Sequence, residues 1–350
     1  MTWLHNLRRT IFVLLLVSAP LQLPSAIAAS NTTVIKIATI SPDGTTWMRL
    51  MREGAQLIAE QTGGRVKFQF YPGGIMGNDQ SLLRKIRIGQ LQGGAVTGGS
   101  LIDIDPSFQL YSLPFLFASL DEVSHVRKHL DARLIDSLAQ KGMISLGLAE
   151  GGFAYLMSRH PISRLPELKA RKVWVPPADP ASLDATREIG ILPVSLPLPD
   201  VLTGLQTGLV DTVATSPIAA IALQWHTRVK YLNETPLNYF VATLIIDRRV
   251  FEKLSPPDQE IMRRVMGETF AKIDAQNRRD NVSALSALAG QHITFTRFDA
   301  ESITELHKIA ETIHARTFDS GIHDRNLVAD LQNHLATYRN QIRTGSNKIR

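Results

Sequence analysis

The feature that most constrains the fold is one uninterrupted helical pattern that follows Ser255 and stops at Gly290. Ser255 can cap the amino end of this helix, Asp258 stands three residues later where a capping box carries an acid, and Gly290 suits the carboxyl end. At about 1.5 Å per residue, the helix would be roughly 50 Å long, which is more than one small lobe spans. We therefore expect a helix that packs across two lobes and braces them.

Apolar strands alternate with amphipathic helices in the chain before this helix. The first unit consists of the strand VIKIATI, the helix TTWMRLMREGAQLIAEQTGG, which ends in a glycine pair, and the strand RVKFQFYP, whose apolar residues alternate. The alternation continues to the strand MISLGLA and begins again at RKVWVP. This order is typical of α/β proteins and predicts a parallel-rich sheet covered by helices.

Two segments of the chain resemble each other. Residues 85–98 read KIRIGQLQGGAVTG and residues 204–217 read GLQTGLVDTVATSP, so that each contains a helix end, a glycine, a buried strand and a small hydroxyl residue. The hydroxyl residues are Thr97 and Ser216. Ligands of α/β sheets bind at the carboxyl ends of strands, which favours two similar lobes that face one cleft. The alternative is chance similarity of a common helix-glycine-strand unit.

The amino terminus has the pattern of a cleaved export signal. Arg8 and Arg9 precede the apolar run IFVLLLVSAP, and SAIAA supplies small residues for cleavage before Ala29. A membrane anchor is the alternative, but the run is shorter than the ~20 residues that a spanning helix needs. We predict export to the periplasm and removal of the signal.

The order of the elements also predicts how the chain is divided. The segment YFVATLIID reads as a strand that returns to the first lobe, and HITFTRF and two amphipathic helices follow the long helix. We predict a signal peptide at 1–28, a first lobe at 29–152 that is completed by about 240–252 and parts of the C-terminal region, a second lobe at 153–239, and the long bridging helix with the C-terminal helices at 253–350.

Composition excludes several classes of protein. The chain has 350 residues, of which 44% are hydrophobic and 20% charged, so it can bury a large core. Its formal net charge is +6, but the basic residues are scattered and do not form runs with interleaved aromatics, which argues against nucleic-acid binding. The chain has no cysteine, and this excludes disulfides, thiol catalysis and cysteine-bound metals.

The motifs of common enzyme classes are missing from the sequence. There is no G-x-S-x-G elbow, and the glycine-rich segment GGIMGN lacks the lysine and hydroxyl pair of a phosphate-binding loop. The ten histidines contain no H-E-x-x-H motif, and we find no other compact metal-ligand spacing among them. We therefore predict a protein that is not an enzyme and that carries no cofactor and no metal.

Five segments together resemble the extracytoplasmic solute-binding proteins of tripartite ATP-independent periplasmic (TRAP) transporters. They are EQTGGRVKFQFYPGGIMGND, YSLPFLF, ELKARKVWVP, GLQTGLVDTVATSP and LSPPDQEIM, in the order of that family. The resemblance implies a two-lobed periplasmic solute-binding fold of type II-like topology. It also implies that the protein traps a small organic solute and delivers it to membrane permease subunits. The alternative is a periplasmic ligand sensor that signals to a membrane receptor.

The chain departs from the family pattern where the resemblance implies solute-gripping side chains. Trp174 replaces an arginine that holds the solute carboxylate, a second arginine is missing at about Ala154, and Ser216 stands where asparagine is common. An indole cannot form the two parallel hydrogen bonds of a guanidinium with a carboxylate. Its flat face and single N–H predict a solute with a ring, an apolar body or a cationic group.

Further candidates come from loops and strand ends. Thr45 and Trp47 lie at a helix amino terminus, Asn78 lies in a glycine-rich turn, and Glu150 precedes GGF at an expected strand end. Capping, turn formation or core packing is the alternative role for each, and Trp225 is expected on the helix after Ser216. The predicted ligand-binding set is Thr45, Trp47, Asn78, Thr97, Glu150, Phe153, Trp174, Pro176, Ser216 and Trp225.

Overall fold

The computed structural model describes residues 32–177 and 179–346. The predicted signal peptide lies outside the described residues. Among the helices that are described, we find none with both the length and the apolar character needed to cross a bilayer.

The strands and helices follow the alternation that the sequence predicts. The strands are β1 (Thr33–Thr39), β2 (Val66–Tyr71), β3 (Gly93–Thr97), β4 (Met143–Ser158), β5 (Trp174–Val175), β6 (Val194–Ser195), β7 (Thr212–Thr215), β8 (Tyr231–Asn233), β9 (Asn238–Asp247) and β10 (Thr294–Thr296). The helices are α1 (Thr46–Gln61), α2 (Asp79–Arg87), α3 (Leu120–Gln140), α4 (Leu165–Lys169), α5 (Pro180–Ile189), α6 (Val201–Thr207), α7 (Pro217–Ala222), α8 (Arg248–Phe251), α9 (Pro256–Gly290), α10 (Ala300–Asp319) and α11 (Arg325–Ser346).

The fold is a two-lobed α/β architecture with a mixed central sheet. The strand order is β10-β8-β4-β9-β3-β1-β2, with β7 also paired to β4, and β5 and β6 form a separate parallel pair. Strands β1, β2 and β3 are parallel, whereas β9 runs antiparallel to both β3 and β4. The prediction of a parallel-rich sheet is therefore wrong for the middle of the sheet, because the returning strand β9 inserts there.

Apolar side chains of β9 alternate between two helical layers. Val241 and Ile245 pack in the cluster that contains residues of α3 and α11, while Leu244 and Ile246 pack in the cluster that contains residues of α1 and α9. Successive side chains of a strand point to opposite faces, so this strand is buried on both sides. The helical layers therefore cover the middle of the sheet completely.

Strand β4 runs through the lobe boundary predicted between residues 152 and 153. It is 16 residues long, pairs with β9 over most of its length, and pairs with β7 and β8 near its end. Glu150 consequently lies in the middle of a strand, and its expected place at a strand end is wrong. The sequence hides this continuity because the two glycines after Glu150 resemble a turn. The exact lobe boundaries stay a prediction.

The long helix that the sequence predicts is confirmed as α9. Its amino end is capped by Ser255, whose Oγ accepts a hydrogen bond of 3.3 Å from the backbone N–H of Asp258. The helix packs against α1, β4 and α7. It therefore contacts elements from the first strand-helix run and from the second, as a brace between two lobes must.

A buried arginine joins four of these elements. Arg127 of α3, whose side chain is 9% exposed, pairs with Asp131 at 2.9 Å and with Asp274 of α9 at 3.0 Å. It also donates to the hydroxyl of Tyr239 in β9 at 3.2 Å and to the carbonyl of Leu148 in β4 at 2.9 Å. Its nearby acids and the phenol keep the guanidinium charged despite burial.

A second ion pair continues this network along α9. The carboxylate of Glu150, a residue that is 1% exposed, lies 2.6 Å from Arg278, which also donates to Ser124 of α3 at 2.9 Å. The backbone N–H of Glu150 donates to Asp274, and the side chain of Asn277 donates to the Glu150 carbonyl at 2.7 Å. Burial raises the pKa of Asp274 above its ordinary value. We call Arg127, Glu150, Tyr239, Asp274 and Arg278 the central polar network.

We predict that Arg127→Met lowers the free energy of unfolding by about 3–5 kcal/mol, because removing one partner leaves buried charges without compensation. The matched control is Arg49→Met, which breaks an exposed pair with Glu53 on α1 and should cost no more than about 1 kcal/mol. Urea unfolding followed by circular dichroism measures both. Equal losses in the two variants would contradict the central role of Arg127.

Candidate functional site

The loops that follow β1, β2 and β3 lie along one edge of the sheet. Because β1, β2 and β3 are parallel, their carboxyl ends meet at the same edge, and the loops that follow them lie together. Two of these loops are joined directly, since the N–H of Gly73 donates to the carbonyl of Ser41 at 2.8 Å. This edge is where the fold would place one wall of a ligand site.

The two similar segments have the same backbone at their glycines. Gly89 and Gly208 both have a φ of +77°, the left-handed conformation that glycine adopts readily, and β3 and β7 follow them. Thr97 is the last residue of β3, and Ser216 comes directly after β7. The predicted sequence of helix end, glycine, strand and hydroxyl residue is confirmed in both segments.

Thr97 holds a buried carboxylate at this edge. Its backbone N–H and its hydroxyl both donate to Oδ2 of Asp79, at 3.0 and 2.9 Å. The other carboxylate oxygen, Oδ1, is buried and has no hydrogen-bond partner among residues 32–177 and 179–346. Burial raises the pKa of Asp79 above its ordinary value. Sequence reasoning selected Thr97 and missed Asp79, because the two residues are adjacent only after the loop folds.

Two other predicted residues act as helix caps. The side chain of Asn78 accepts from the N–H of Ser81 at 3.0 Å at the start of α2. Thr45 caps α1 by accepting from the N–H of Met48 at 3.3 Å, and its hydroxyl donates to the carbonyl of Pro42. Both side chains are thus engaged within their own loops. A contact with a solute stays a prediction for each of them.

Trp47 leaves a polar group free in the first turn of α1. Its ring lies edge-on against Phe270 of α9, with the ring centroids 5.7 Å apart. Its indole Nε1 is buried and has no hydrogen-bond partner among the described residues. The backbone N–H groups of a helix's first turn also lack partners within the helix. The start of α1 therefore offers hydrogen-bond donors.

The second half has a corresponding edge. Strands β5 and β6 are parallel, and a parallel bridge between Val173 and Thr212 connects β5 with β7. Half-buried Pro176 follows β5, and Ser216, which is buried, caps α7 by accepting from the N–H of Ala219 at 3.4 Å. The predicted residues Pro176 and Ser216 thus stand at strand carboxyl ends, as do those of the first edge.

Trp174 and Trp225 lie in the apolar core behind this second edge. Trp174 is 5% exposed, and its Nε1–H donates to the carbonyl of Leu196 at 2.9 Å. The rings of Trp174 and Trp225 meet at 77° with centroids 5.1 Å apart, and Trp225 is 1% exposed. Trp225 lies in a 3₁₀ turn after α7, so its expected place on that helix is wrong. Solute contact by either indole stays a prediction.

Of the remaining two predicted residues, Glu150 belongs to the central polar network and Phe153 lies beside it. Phe153 is buried, and its ring lies 5.7 Å from that of Tyr239. Glu150 is held by Arg278, which sequence reasoning did not select. Glu150 and Arg278 are more than a hundred residues apart in the chain, so no local sequence pattern indicates that they pair. Solute contact by Phe153 or Glu150 likewise stays a prediction.

The two edges approach each other at one point. A Cβ atom at Gly74, in the loop after β2, would lie 3.8 Å from Cγ of Pro199 in the turn before α6. On the α9 side, Asn281 accepts from the N–H of Ile218 in α7 at 3.3 Å. Loops from both halves therefore contact each other beside the two edges.

Comparison with known proteins places this arrangement among solute-binding proteins. Residues 37–320 match the family described as bacterial extracellular solute-binding protein, family 7. The 2,3-diketo-L-gulonate-binding periplasmic protein YiaO of Escherichia coli K12 is 27% identical over 212 residues, which are 59% of this chain and 63% of that protein.

Solved structures share the fold at low sequence identity. A TRAP periplasmic solute-binding protein from Haemophilus influenzae with bound L-gulonate has a TM-score of 0.81 at 17% identity, covering 87% of this chain and 100% of that one. Another, from Desulfovibrio salexigens with bound orotic acid, has a TM-score of 0.80 at 18% identity. It covers 87% of this chain and 99% of that one. The two-lobed fold is the same in all three proteins.

We predict that Asp79→Asn gains stability relative to the wild type as the pH rises from 4 to 7. Because burial raises the pKa of Asp79, the folded protein keeps a proton that the unfolded chain has already released, and the wild type loses stability as the pH passes through this range. Asparagine cannot ionise and avoids that loss. Urea unfolding at several pH values measures the difference.

The control for this measurement is Asp258→Asn. The hydrogen bonds from Arg65 lower the pKa of Asp258 below its ordinary 3.8, so the wild type gains stability relative to this variant mainly as the pH rises through the acid range below 3.8. Between pH 4 and 7 the stability difference between this variant and the wild type should therefore change little, whereas that of Asp79→Asn should change. If the wild type instead became more stable relative to Asp79→Asn as the pH rises, Asp79 would be ionised in the folded protein without a loss of stability.

Proposed function

The chain belongs to family 7 of the bacterial extracellular solute-binding proteins, and we propose that it is the solute-binding subunit of a TRAP transporter. In this proposal it binds a small sugar acid or related hydroxylated carboxylate between its two lobes and delivers it to membrane permease subunits. The lobes close around the solute, as two-domain binding proteins generally do. Members of the family are solute-binding proteins, and the role proposed here involves no catalysis.

The observation that carries this proposal is the pair of strand-end edges. Each edge follows a left-handed glycine and a short strand, β3 in the first half and β7 in the second, and α9 and β4 connect the two halves. Ligands of open α/β sheets bind outside the carboxyl ends of the strands, so one solute can contact both edges. Residues 37–320, which match the family, include both of them.

The class of solute is supported by buried polar atoms that have no hydrogen-bond partner in the described part of the chain. Oδ1 of Asp79 can accept a hydrogen bond from a solute hydroxyl when ionised or donate one when protonated, and Nε1 of Trp47 can donate one. A sugar acid supplies several hydroxyls together with one carboxylate. Sugar acids are also the solutes named for the Escherichia coli relative and for the Haemophilus influenzae structure.

The solute carboxylate needs donors other than the arginines that the resemblance implies. Ala154 and Trp174 occupy those positions, and Ser216 uses its hydroxyl to cap α7. We infer that neutral donors at the start of α1, including the first-turn backbone N–H groups and Nε1 of Trp47, hold the anion. Neutral donors favour a singly charged solute, because each buried carboxylate must be compensated.

The site of action follows from the same proposal. The family consists of extracellular solute-binding proteins, and residues 1–28 have the sequence pattern of a secretory signal. We propose that this segment is removed during export and that the protein acts in the periplasm. The solute-loaded protein then meets the permease at the membrane.

We predict that the exported protein binds a hexuronate or aldonate at least tenfold more tightly than succinate. D-Glucuronate, D-galacturonate, L-gulonate and succinate can be compared by isothermal titration calorimetry. A second carboxylate without a cationic partner costs desolvation energy, which is the reason for the expected order. Tight binding of succinate with no binding of the sugar acids would contradict the proposed solute class.

Thr97→Val tests whether the first edge contributes to binding. Valine removes the hydroxyl that orients Asp79, and the affinity for the sugar acid should fall about tenfold, which corresponds to about 1.4 kcal/mol. Thr304→Val is the matched control, because Thr304 is exposed on α10 and bonds only to its own helix. Unchanged affinity in a folded Thr97→Val protein would remove this edge from the site.

Trp174→Phe tests the second edge. If the indole borders the solute, the affinity should fall by roughly tenfold, in the range that a lost aromatic contact produces. Phenylalanine is preferred to alanine here because Trp174 packs in the core. Val201→Ala, a buried change in the same cluster, controls for lost stability. Equal affinity in wild type, variant and control would show that Trp174 serves packing alone.

A further inference from the structure

Three histidines lie together on the side of the protein formed by α3 and α11. His125 and His129 are one helical turn apart on α3, and His334 projects from α11. One ring nitrogen from each lies within 4.8 Å of the ring nitrogens of the other two. The rings of His129 and His334 are stacked, with centroids 3.9 Å apart and an interplanar angle of 19°.

The surroundings of His129 and His125 indicate which of their ring nitrogens can bind an ion. Nδ1 of His129 lies 2.8 Å from the carbonyl oxygen of His125, so Nδ1–H donates to that oxygen and Nε2 keeps its lone pair. Nε2 of His125 is buried and has no hydrogen-bond partner in the described protein. Metal-binding histidines commonly donate their second ring N–H to a carbonyl in this way, which fixes the tautomer and the ring orientation.

We propose that His125, His129 and His334 bind a divalent transition-metal ion of the zinc class. Three imidazoles suit Zn²⁺, Ni²⁺ or Cu²⁺ and do not suit Mg²⁺ or Ca²⁺, which prefer oxygen ligands. The rings of His129 and His334 are stacked, so their lone pairs lie in nearly parallel planes, and one ring must rotate before both nitrogens can bind one tetrahedral ion. His129 is exposed and keeps its orientation through the Nδ1 hydrogen bond, so the half-buried ring of His334 must make the larger rotation.

The ion would tie the C-terminal helix to the first half of the protein. Helices α3 and α11 already pack together and are joined by ion pairs, of which Arg133 with Asp330 and Arg339 with Glu122 are examples. A metal bound only by the folded protein raises its apparent stability. The site is separate from the strand-end edges, so solute binding and metal binding can be measured independently.

Part of this site is visible in the sequence. His125 and His129 have the spacing H-x-x-x-H, which places two imidazoles on one face of a helix. The expectation that the histidines show no compact metal-ligand spacing therefore overlooked this pair. The third ligand comes from a helix about two hundred residues later, and only the packing of α11 on α3 brings it close.

Titration of the untagged, EDTA-treated protein with ZnCl₂ in a calorimeter tests the proposal. The expected result is one saturable ion per chain with a Kd in the micromolar range or below, a higher unfolding midpoint with Zn²⁺, and no binding of MgCl₂. His129→Gln and His334→Gln should each weaken Zn²⁺ binding at least tenfold. His160→Gln, which changes an exposed histidine elsewhere, should bind Zn²⁺ as the wild type does.

Circular dichroism confirms that each variant is folded before titration, and His129 is the safest site because its ring is exposed. Absence of saturable binding to the wild type would overturn the proposal. Equal Zn²⁺ affinity in the wild type and folded His129→Gln would overturn it as well, because the ion would then be held elsewhere.

Discussion

The buried guanidinium of Arg127 is the interaction on which the rest of the structure depends. A cation away from water is stable only if its neighbours supply charge and acceptors, and Arg127 takes these from α3, β4, β9 and α9 at once. Each of the four elements is therefore fixed in position by the same group. Because α9 and β4 extend from this point toward the second half, the Arg127 contacts also determine where the strand-end edges lie relative to each other.

The strand that crosses between the halves is irregular beside this network. The register of β4 with β9 shifts between Ser145 and Leu148 and again between Glu150 and Gly152. At Gly151, a Cβ atom would lie 2.3 Å from the ring of Phe240, so glycine is required for the strands to approach. Irregular pairing bends a strand locally. The central polar network thus fixes the part of β4 that lies beside it, while the bend directs the remainder of β4 into the second half.

Local signals predicted most of the fold, and distant contacts account for what they missed. The helix caps and the helical spacing of apolar residues predicted α9 between Ser255 and Gly290, because these signals act within one helix. The antiparallel insertion of β9, the bond of Thr97 to Asp79 and the pair of Glu150 with Arg278 each join distant parts of the chain. No local pattern encodes such contacts. For the same reason, the sequence could not decide whether the two tryptophans of the second half face the core or the cleft.

The packing of Trp174 shows how the second half is stable without a cation at the position where the family resemblance implies an arginine. The indole satisfies its N–H through Leu196 and fills the core against Trp225, so the second half is complete without a cation in the strand. An arginine in the same place would need an anionic partner whenever no solute was bound. In the function proposed above, tryptophan at this position therefore favours the empty protein and leaves the solute carboxylate without the contact that an arginine would make. The same proposal then assigns selectivity to neutral donors and to fit with hydroxyl groups, which are the interactions that distinguish one sugar acid from another.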